Sequence, residues 1–317
     1  MSGALEGPVL VTGGAGFIGA HVTRALLAKG VEVTVFDNLS VGRREAVAPG
    51  ARLVVGDLCD AEAVQNALTG HRSVLHLAAR VAIRSSFDFV VEDTTTNVVG
   101  TAVLMRAVLR EHAVGRVVAA SSMAVYADSA APVAINEQHA TEPVSPYGIS
   151  KLALERLVHT MSQSAGLSST VLRFFNTYGP GQALSPYVGA VTIFTHALMR
   201  GDTPTIFGDG LQCRDFVHVQ DITQGCLLAL ARHAPGRATL NLGTGVATSI
   251  KEVVQAVQAA LDRPGPVLHA PAVVGELRYS IADISRARQL LGYTPAHPLA
   301  SELPSVVRAI AAAASGT

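Results

Sequence analysis

Val9-Leu10-Val11-Thr12-Gly13-Gly14-Ala15-Gly16-Phe17-Ile18-Gly19 is the stretch that decides the fold. Val9 to Val11 is a short apolar run, which reads as a strand ended by Thr12 and the glycines. From Phe17 to Lys29 the apolar residues Ile18, Val22, Ala25 and Leu26 recur on a helical period. Gly30 closes that helix, and Val31 to Phe36 alternates through β-branched residues toward Asp37. Strand, tight turn, helix and strand make a βαβ unit. Gly13, Gly16 and Gly19 then supply the tight turn, a close backbone approach and close helix–sheet packing, while the first N–H groups of the helix are left to hold a pyrophosphate. Asp37 follows the glycines by about 20 residues, where a carboxylate bonds the adenosine ribose hydroxyls. Three glycines alone also make ordinary structural turns; the flanking strand and helix and the placed Asp37 are what single these out. A carboxylate there repels a 2′-phosphate and favours NAD over NADP, although Arg43 and Arg44 are close enough in sequence to neutralise one.

Outward from this unit the alternation continues. Arg52 to Val55, Ser73 to Leu77, Arg116 to Ala120 and Thr170 to Phe174 read as strands; between them fall helices over Ala61 to Leu68, about Thr95 to Arg110, and from Tyr147 onward with Leu154, Leu157, Val158 and Met161 on one stripe. Strands apolar on both faces belong to a parallel sheet between helices. The fold class is therefore α/β, a Rossmann-like doubly wound parallel sheet with a smaller, loop-rich C-terminal substrate domain. The boundary falls at residues 1–175 for the dinucleotide-binding domain and 176–317 for the substrate domain, with a segment near 214–245 returning to the first. Past Asn176 the chain is broken by Gly179-Pro180-Gly181, Ser185-Pro186 and Gly208-Asp209-Gly210, and the alanine-rich tail from Ala309 to Ser315 reads as a fraying helix.

With 317 residues, 49% hydrophobic and 15% charged, the composition fits one large or two intimate globular domains and excludes disorder. Lys+Arg and Asp+Glu both total 24, so no basic excess marks a nucleic-acid or anionic-membrane partner. No apolar run approaches the roughly 18 residues of a spanning helix, and a cytoplasmic protein is expected. Cys59, Cys213 and Cys226 share no metal-like spacing, and the 11 histidines form no His-x-x-x-His pair, so no metal is assigned.

Tyr147 and Lys151 lie four apart and share a helical face if the helix begins near Ser145 or Pro146. An ammonium beside a phenol, helped by the positive nicotinamide, stabilises its anion and brings the pKa from about 10 toward neutrality, which makes a general base. As a bare pair, this spacing is common and usually structural.

The chain resembles the extended short-chain dehydrogenases/reductases of the nucleotide-sugar epimerase and dehydratase group over nearly its whole length. Besides the glycine turn and Tyr147-x-x-x-Lys151, the resemblance is carried by Gly56-Asp57-Leu58, His76-Leu77-Ala78-Ala79, Asn97-Val98-Val99-Gly100-Thr101 and Ser121-Ser122-Met123-Ala124-Val125-Tyr126. Arg173-Phe174-Phe175-Asn176, Tyr178-Gly179-Pro180, Arg214-Asp215-Phe216 and Asn241-Leu242-Gly243-Thr244-Gly245 continue it. It implies a catalytic set of Ser122, Tyr147 and Lys151. It also implies that NAD is held by Gly13, Gly16, Phe17, Ile18, Gly19, Asp37, Asn38, Asp57, Leu58, Leu77, Ala78 and Ala79 together with Tyr147 and Lys151. Asn97 would be a structural or water-holding neighbour, and His76 a packed strand-end histidine.

Dehydratases of the group place Asp-Glu after the serine; Met123-Ala124 stands here. The resemblance therefore implies reversible 4-epimerisation of a UDP-hexose through a 4-keto form, with Ser122, Asn176, Arg214, Arg278 and Ser280 at the substrate. Ser280 aligns with a position that gates the sugar pocket, where a small side chain would admit N-acetylated sugars, or it is simply a small residue in a turn. Val273 replaces a phosphate-binding arginine usual in the group. A uronate 4-epimerase, a nucleotide-sugar 4-ketoreductase and a non-catalytic NAD-sensing protein are the alternatives. A homodimer is expected, through a stripe of Val98, Ala102, Met105 and Leu109 and another after Lys151 on the next helix, unless both stripes face their own sheet.

Overall fold

The computed structural model describes residues 5, 7–81, 83, 85–129, 131–184, 189–232, 236–272, 275 and 277–315; Ser185, Pro186, Val273 and Glu276 lie outside them. The first half runs β1 (Val9–Thr12), α1 (Phe17–Leu27), β2 (Val33–Asp37), β3 (Arg52–Val55), α2 (Ala61–Leu68) and β4 (Ser73–His76). It continues through α3 (Val90–Thr94), one π turn (Thr95–Val99), α4 (Gly100–Arg110), β5 (Arg116–Ser122), α5 (Pro146–Ser164) and β6 (Ser168–Phe174). Local chemistry sets the boundaries. Asp60 caps α2 by accepting from the N–H groups of Glu62 and Ala63, and Ser145 caps α5 with Pro146 in the first turn.

After β7 (Asn176–Tyr178) come α6 (Ala190–Met199), β8 (Thr205–Phe207), β9 (Cys213–Arg214), β10 (Phe216–His218), α7 (Val219–Ala231) and β11 (Arg237–Leu242). The remainder is β12 (Thr248–Ser249), α8 (Ile250–Ala260), β13 (Leu268–Ala270), β14 (Tyr279–Ser280), α9 (Ser285–Leu291) and α10 (Leu299–Ser315). A reciprocal Ser249–Glu252 capping box starts α8, and Gly292, left-handed at φ 68°, ends α9.

The central sheet has seven strands in the order β11-β6-β5-β4-β1-β2-β3, every neighbouring pair parallel. That is the doubly wound α/β sheet expected from the sequence, with β11 added at one edge. Val9, Val11, Val35 and Val118 face one apolar layer of the core and Leu10, Val74, Val117 and Ala119 the other. A third core joins α6, α8 and α10 through Phe194, Val253, Val257, Leu303 and Val307. The alanine-rich tail read as helical is the last part of the 17-residue α10, which buried Leu303, Val307 and Ile310 pin to that core.

Of the two helical stripes, Met105, Leu154 and Val158 are fully buried against the chain's own sheet, while Val98, Ala102, Leu109, Leu157 and Met161 are half-buried. The helix expected from about Thr95 begins earlier, at Val90, and passes through the π turn, which rotates the faces that follow.

Candidate active site

One cleft of about 1430 Å³ runs over the carboxyl ends of β1, β2, β4 and β5 and continues beneath β7, β8 and β9. Its floor is the glycine turn. Gly13 sits at φ 70°, and a Cβ there would come within 2.6 Å of the Ala78 backbone nitrogen. A Cβ at Gly19 would meet the Gly13 carbonyl oxygen at 2.2 Å, whereas one at Gly16 has only that oxygen at 3.3 Å. Helix α1 has Gly16 as an N-cap without a side-chain bond and no acid in its first turn, so its N–H groups remain available to an anion.

Asp37, at the end of β2, accepts the Ala15 N–H on Oδ2 at 3.0 Å and the Leu39 N–H on Oδ1 at 2.8 Å. Asn38 donates to Asp57 at 2.9 Å, and Asp57 also accepts the Cys59 N–H, two bonds that hold its carboxyl below the usual carboxylate range. Gly13, Gly16, Phe17, Ile18, Gly19, Asp37, Asn38, Asp57, Leu58, Leu77, Ala78 and Ala79 all line the cleft. This cradle fits a dinucleotide: only glycine passes the turn, the anion-binding N–H groups are uncapped, and Asp37 lies beyond them.

Ser122, Tyr147 and Lys151 meet at the next stretch of the same cleft. Ser122 ends β5 and accepts the Ala124 N–H at 3.2 Å; Tyr147 and Lys151 are buried on the first turns of α5. Burial raises the Tyr147 phenol's pKa, the Ser122 hydrogen bond opposes the rise and the Asp93 carboxylate adds to it. Lys151 donates to the Ala120 carbonyl at 2.9 Å, and burial brings its pKa down to about 8 against the pull of Glu155. In the chain by itself, desolvation of the phenol outweighs these opposing contributions.

A buried polar chain braces this corner. The Ala78 N–H donates to Thr12 Oγ1, which faces His76 Nδ1 at 2.7 Å; His76 Nε2 faces Thr101 Oγ1 at 3.0 Å, and Thr101 donates to the Asn97 carbonyl. These bonds assign a neutral His76 with its proton on Nε2, and burial takes its pKa down to about 3. The Asn97 side chain binds both backbone groups of Arg80 and the Ser150 hydroxyl, tying the loop after β4 to α5.

At the far end, Asn176 and Arg214 line the cleft. Asn176 Oδ1 is buried without a partner among the described residues, and Arg214 is held by the carbonyls of Cys213 and Arg278. Asp215 beside it is fully buried on the N–H groups of Thr244, Gly245 and Ala282. Arg278 and Ser280 are not brought to the cleft. Both outer nitrogens of Arg278 bind the carboxylate of Asp209 at 2.8 Å, and Ser280 is fully buried in register with Arg214.

The sequence reading passed over Arg80 and Gln212, which line the cleft, and Glu155 beneath it. The position of Glu155, four residues past Lys151, was a readable signal; Arg80 and Gln212 stand in loops with no periodicity to mark them. Among the described residues no group of His, Cys, Asp and Glu could hold a metal ion.

Comparison with known proteins agrees with this arrangement. Residues 9–243 match the model of the NAD dependent epimerase/dehydratase family. A UDP-glucose 4-epimerase of Mycolicibacterium smegmatis is 36% identical over 305 residues, 94% of this chain and 96% of that one. Among solved structures, the UDP-glucose 4-epimerase of Thermotoga maritima with UDP-glucose superposes with a TM-score of 0.92 at 32% identity, covering 97% of this chain and 99% of that one. MoeE5 in complex with UDP-glucuronic acid and NAD superposes at 0.88 with 35% identity, covering 97% and 100%.

Proposed function

The chain belongs to the NAD dependent epimerase/dehydratase family, and we propose from that membership that it is an NAD-dependent UDP-hexose 4-epimerase. The observation that carries the reading is the convergence of Ser122, Tyr147 and Lys151 with the glycine cradle and Asp37 in one cleft. NAD, when bound, supplies a reversible hydride acceptor and a positive charge beside the phenol. Tyr147 takes the proton of the sugar's carbon-4 hydroxyl and later returns it. Ser122 hydrogen-bonds that oxygen in its hydroxyl and keto forms, and Lys151 fixes the Tyr147 turn of α5 against β5. Asn176 and Arg214 hold the nucleotide diphosphate far from the reacting carbon, so the sugar can turn over while its anchor stays bound.

Arg80 favours keeping a second reading. It lines the cleft with its Nε bonded to Asp93 at 3.1 Å, and its guanidinium could meet a sugar carboxylate, as in a UDP-glucuronate 4-epimerase. Purified protein given UDP-glucose, UDP-N-acetylglucosamine and UDP-glucuronate should form the galacto epimer of at least one. Tyr147→Phe should slow it by about 10²- to 10⁴-fold. Inertness toward all three, or net consumption of reduced NAD with a keto sugar, would defeat the epimerase reading.

The same reading makes the protein a cytoplasmic homodimer. Free thiols at exposed Cys59, half-buried Cys213 and buried Cys226 suit a reducing compartment. Exposed Val90, Val91, Val99 and Ile149, on α3, the π turn and α5, offer an apolar face to a second copy.

A further inference from the structure

Helix α5 grips the end of β5 on three successive turns. Tyr147 meets the Ser122 side chain, Lys151 Nζ donates to the Ala120 carbonyl at 2.9 Å, and Glu155 Oε1 accepts from Ser121 Oγ at 2.6 Å. Positions four apart share one helical face, so the three bonds form a ladder whose first two rungs lie in the cleft and whose third lies under it. We infer that Glu155, locked by Arg173 and Ser121, is a positioning residue that sets the place and charge of Lys151; this rests on the role proposed for Lys151 above.

Glu155 is only 3% exposed, and a carboxylate so buried persists only with a counter-charge. Arg173 on β6 supplies it through two bonds, Nε to Oε1 at 2.8 Å and Nη2 to Oε2 at 2.7 Å. The guanidinium in turn lies over the Tyr126 ring at 4.6 Å, and the Tyr126 hydroxyl donates to Asn241 on β11. Both carboxylate oxygens are thereby committed, and the side chain cannot swing away from α5.

The charged and titratable groups around Lys151 are few. His76, from β4, is neutral because burial takes its pKa to about 3, and the phenol of Tyr147 on the same helix has its pKa raised by burial. Around Glu155 stand Arg173 from β6 and, one turn further along α5, His159, whose pKa burial brings to about 4. Glu155 is thus the anion that opposes the desolvation of Lys151. Lys151 keeps its proton below about pH 8 and loses it above; without Glu155 the loss begins at lower pH.

The chain has three lysines, and Lys29 and Lys251 are exposed, so NMR of protein labelled with [13Cε]lysine reads Lys151 directly and without turnover. Glu155→Gln should move the Lys151 titration down by about one pH unit, and the alkaline limb of turnover with it. Adding Arg173→Met, which removes the guanidinium left unpaired, should recover part of that shift; Glu155→Asp should keep the wild-type titration. A Lys151 titration unmoved in folded Glu155→Gln overturns the inference, as does a loss of turnover equal at every pH. If Glu155→Gln does not fold, the double variant decides: a titration below wild type supports the inference and one at the wild-type position overturns it. Because the titration needs no sugar, a shifted Lys151 in a protein inert toward UDP-sugars would support this inference and defeat the proposed function alone.

Discussion

The carboxylate of Asp37 is committed on both oxygens to the backbone of its own neighbourhood, through Ala15 and Leu39, so it is oriented before any ribose reaches it. Hydrogen bonds to a charged group are worth about 1.5–3 kcal/mol, or roughly 10- to 100-fold in affinity. Asp37→Ser should therefore weaken NAD binding by about that factor while leaving NADP binding unchanged or improved, since the repulsion of a 2′-phosphate goes with the charge; binding titrations with both dinucleotides measure it. Equal losses for the two would mean that Asp37 serves the glycine turn alone. That Asp37 would stand at the cleft was legible in the sequence because its place depends on one spacing along a short unit. The pairing of Arg278 was not legible, for the opposite reason: its side chain is captured by Asp209, 69 residues away, which no local pattern announces.

At the scale of elements, the glycine turn separates two kinds of requirement. Gly19 is fixed by packing, since a Cβ there would meet the Gly13 carbonyl and the Gly14 Cα, neither of which can give way without moving α1. Gly16 has room by comparison, and its narrowness serves whatever approaches the helix end. Gly19→Ala should then cost about 1–3 kcal/mol in denaturant unfolding. Gly16→Ala should cost within about 0.5 kcal/mol yet weaken NAD retention. If Gly16→Ala unfolded as readily as Gly19→Ala, the division would be wrong. The inner strands could be read because apolar runs such as Val9–Val11 and Val117–Ala120 are buried on both faces, and the half-exposed edge strand β3 by its Leu53-Val54-Val55 run. The π turn at Thr95–Val99 could not: it inserts into a continuous helical pattern, and it decides which residues, Met105 among them, face the sheet.

For the molecule as a whole, the faces left uncovered are as informative as the core. Val91 is 69% exposed and Ile149 58%, on two helices that pack side by side, and the proposed dimer would cover both. Light scattering should give a mass near twice 32.8 kDa, and Val91→Glu with Ile149→Glu should return it to the single-chain value; a wild-type monomer would remove the dimer from the reading. The seventh strand carries a different consequence. β11 pairs with β6 along residues 237–242, and its Asn241 fastens Tyr126, Ile135 and Asp283. The dinucleotide half therefore cannot finish assembling as it leaves the ribosome: β6 waits with a bare edge until some 60 further residues have been translated, and a nascent chain halted in that interval exposes a pairing surface to chaperones or to other unfinished copies.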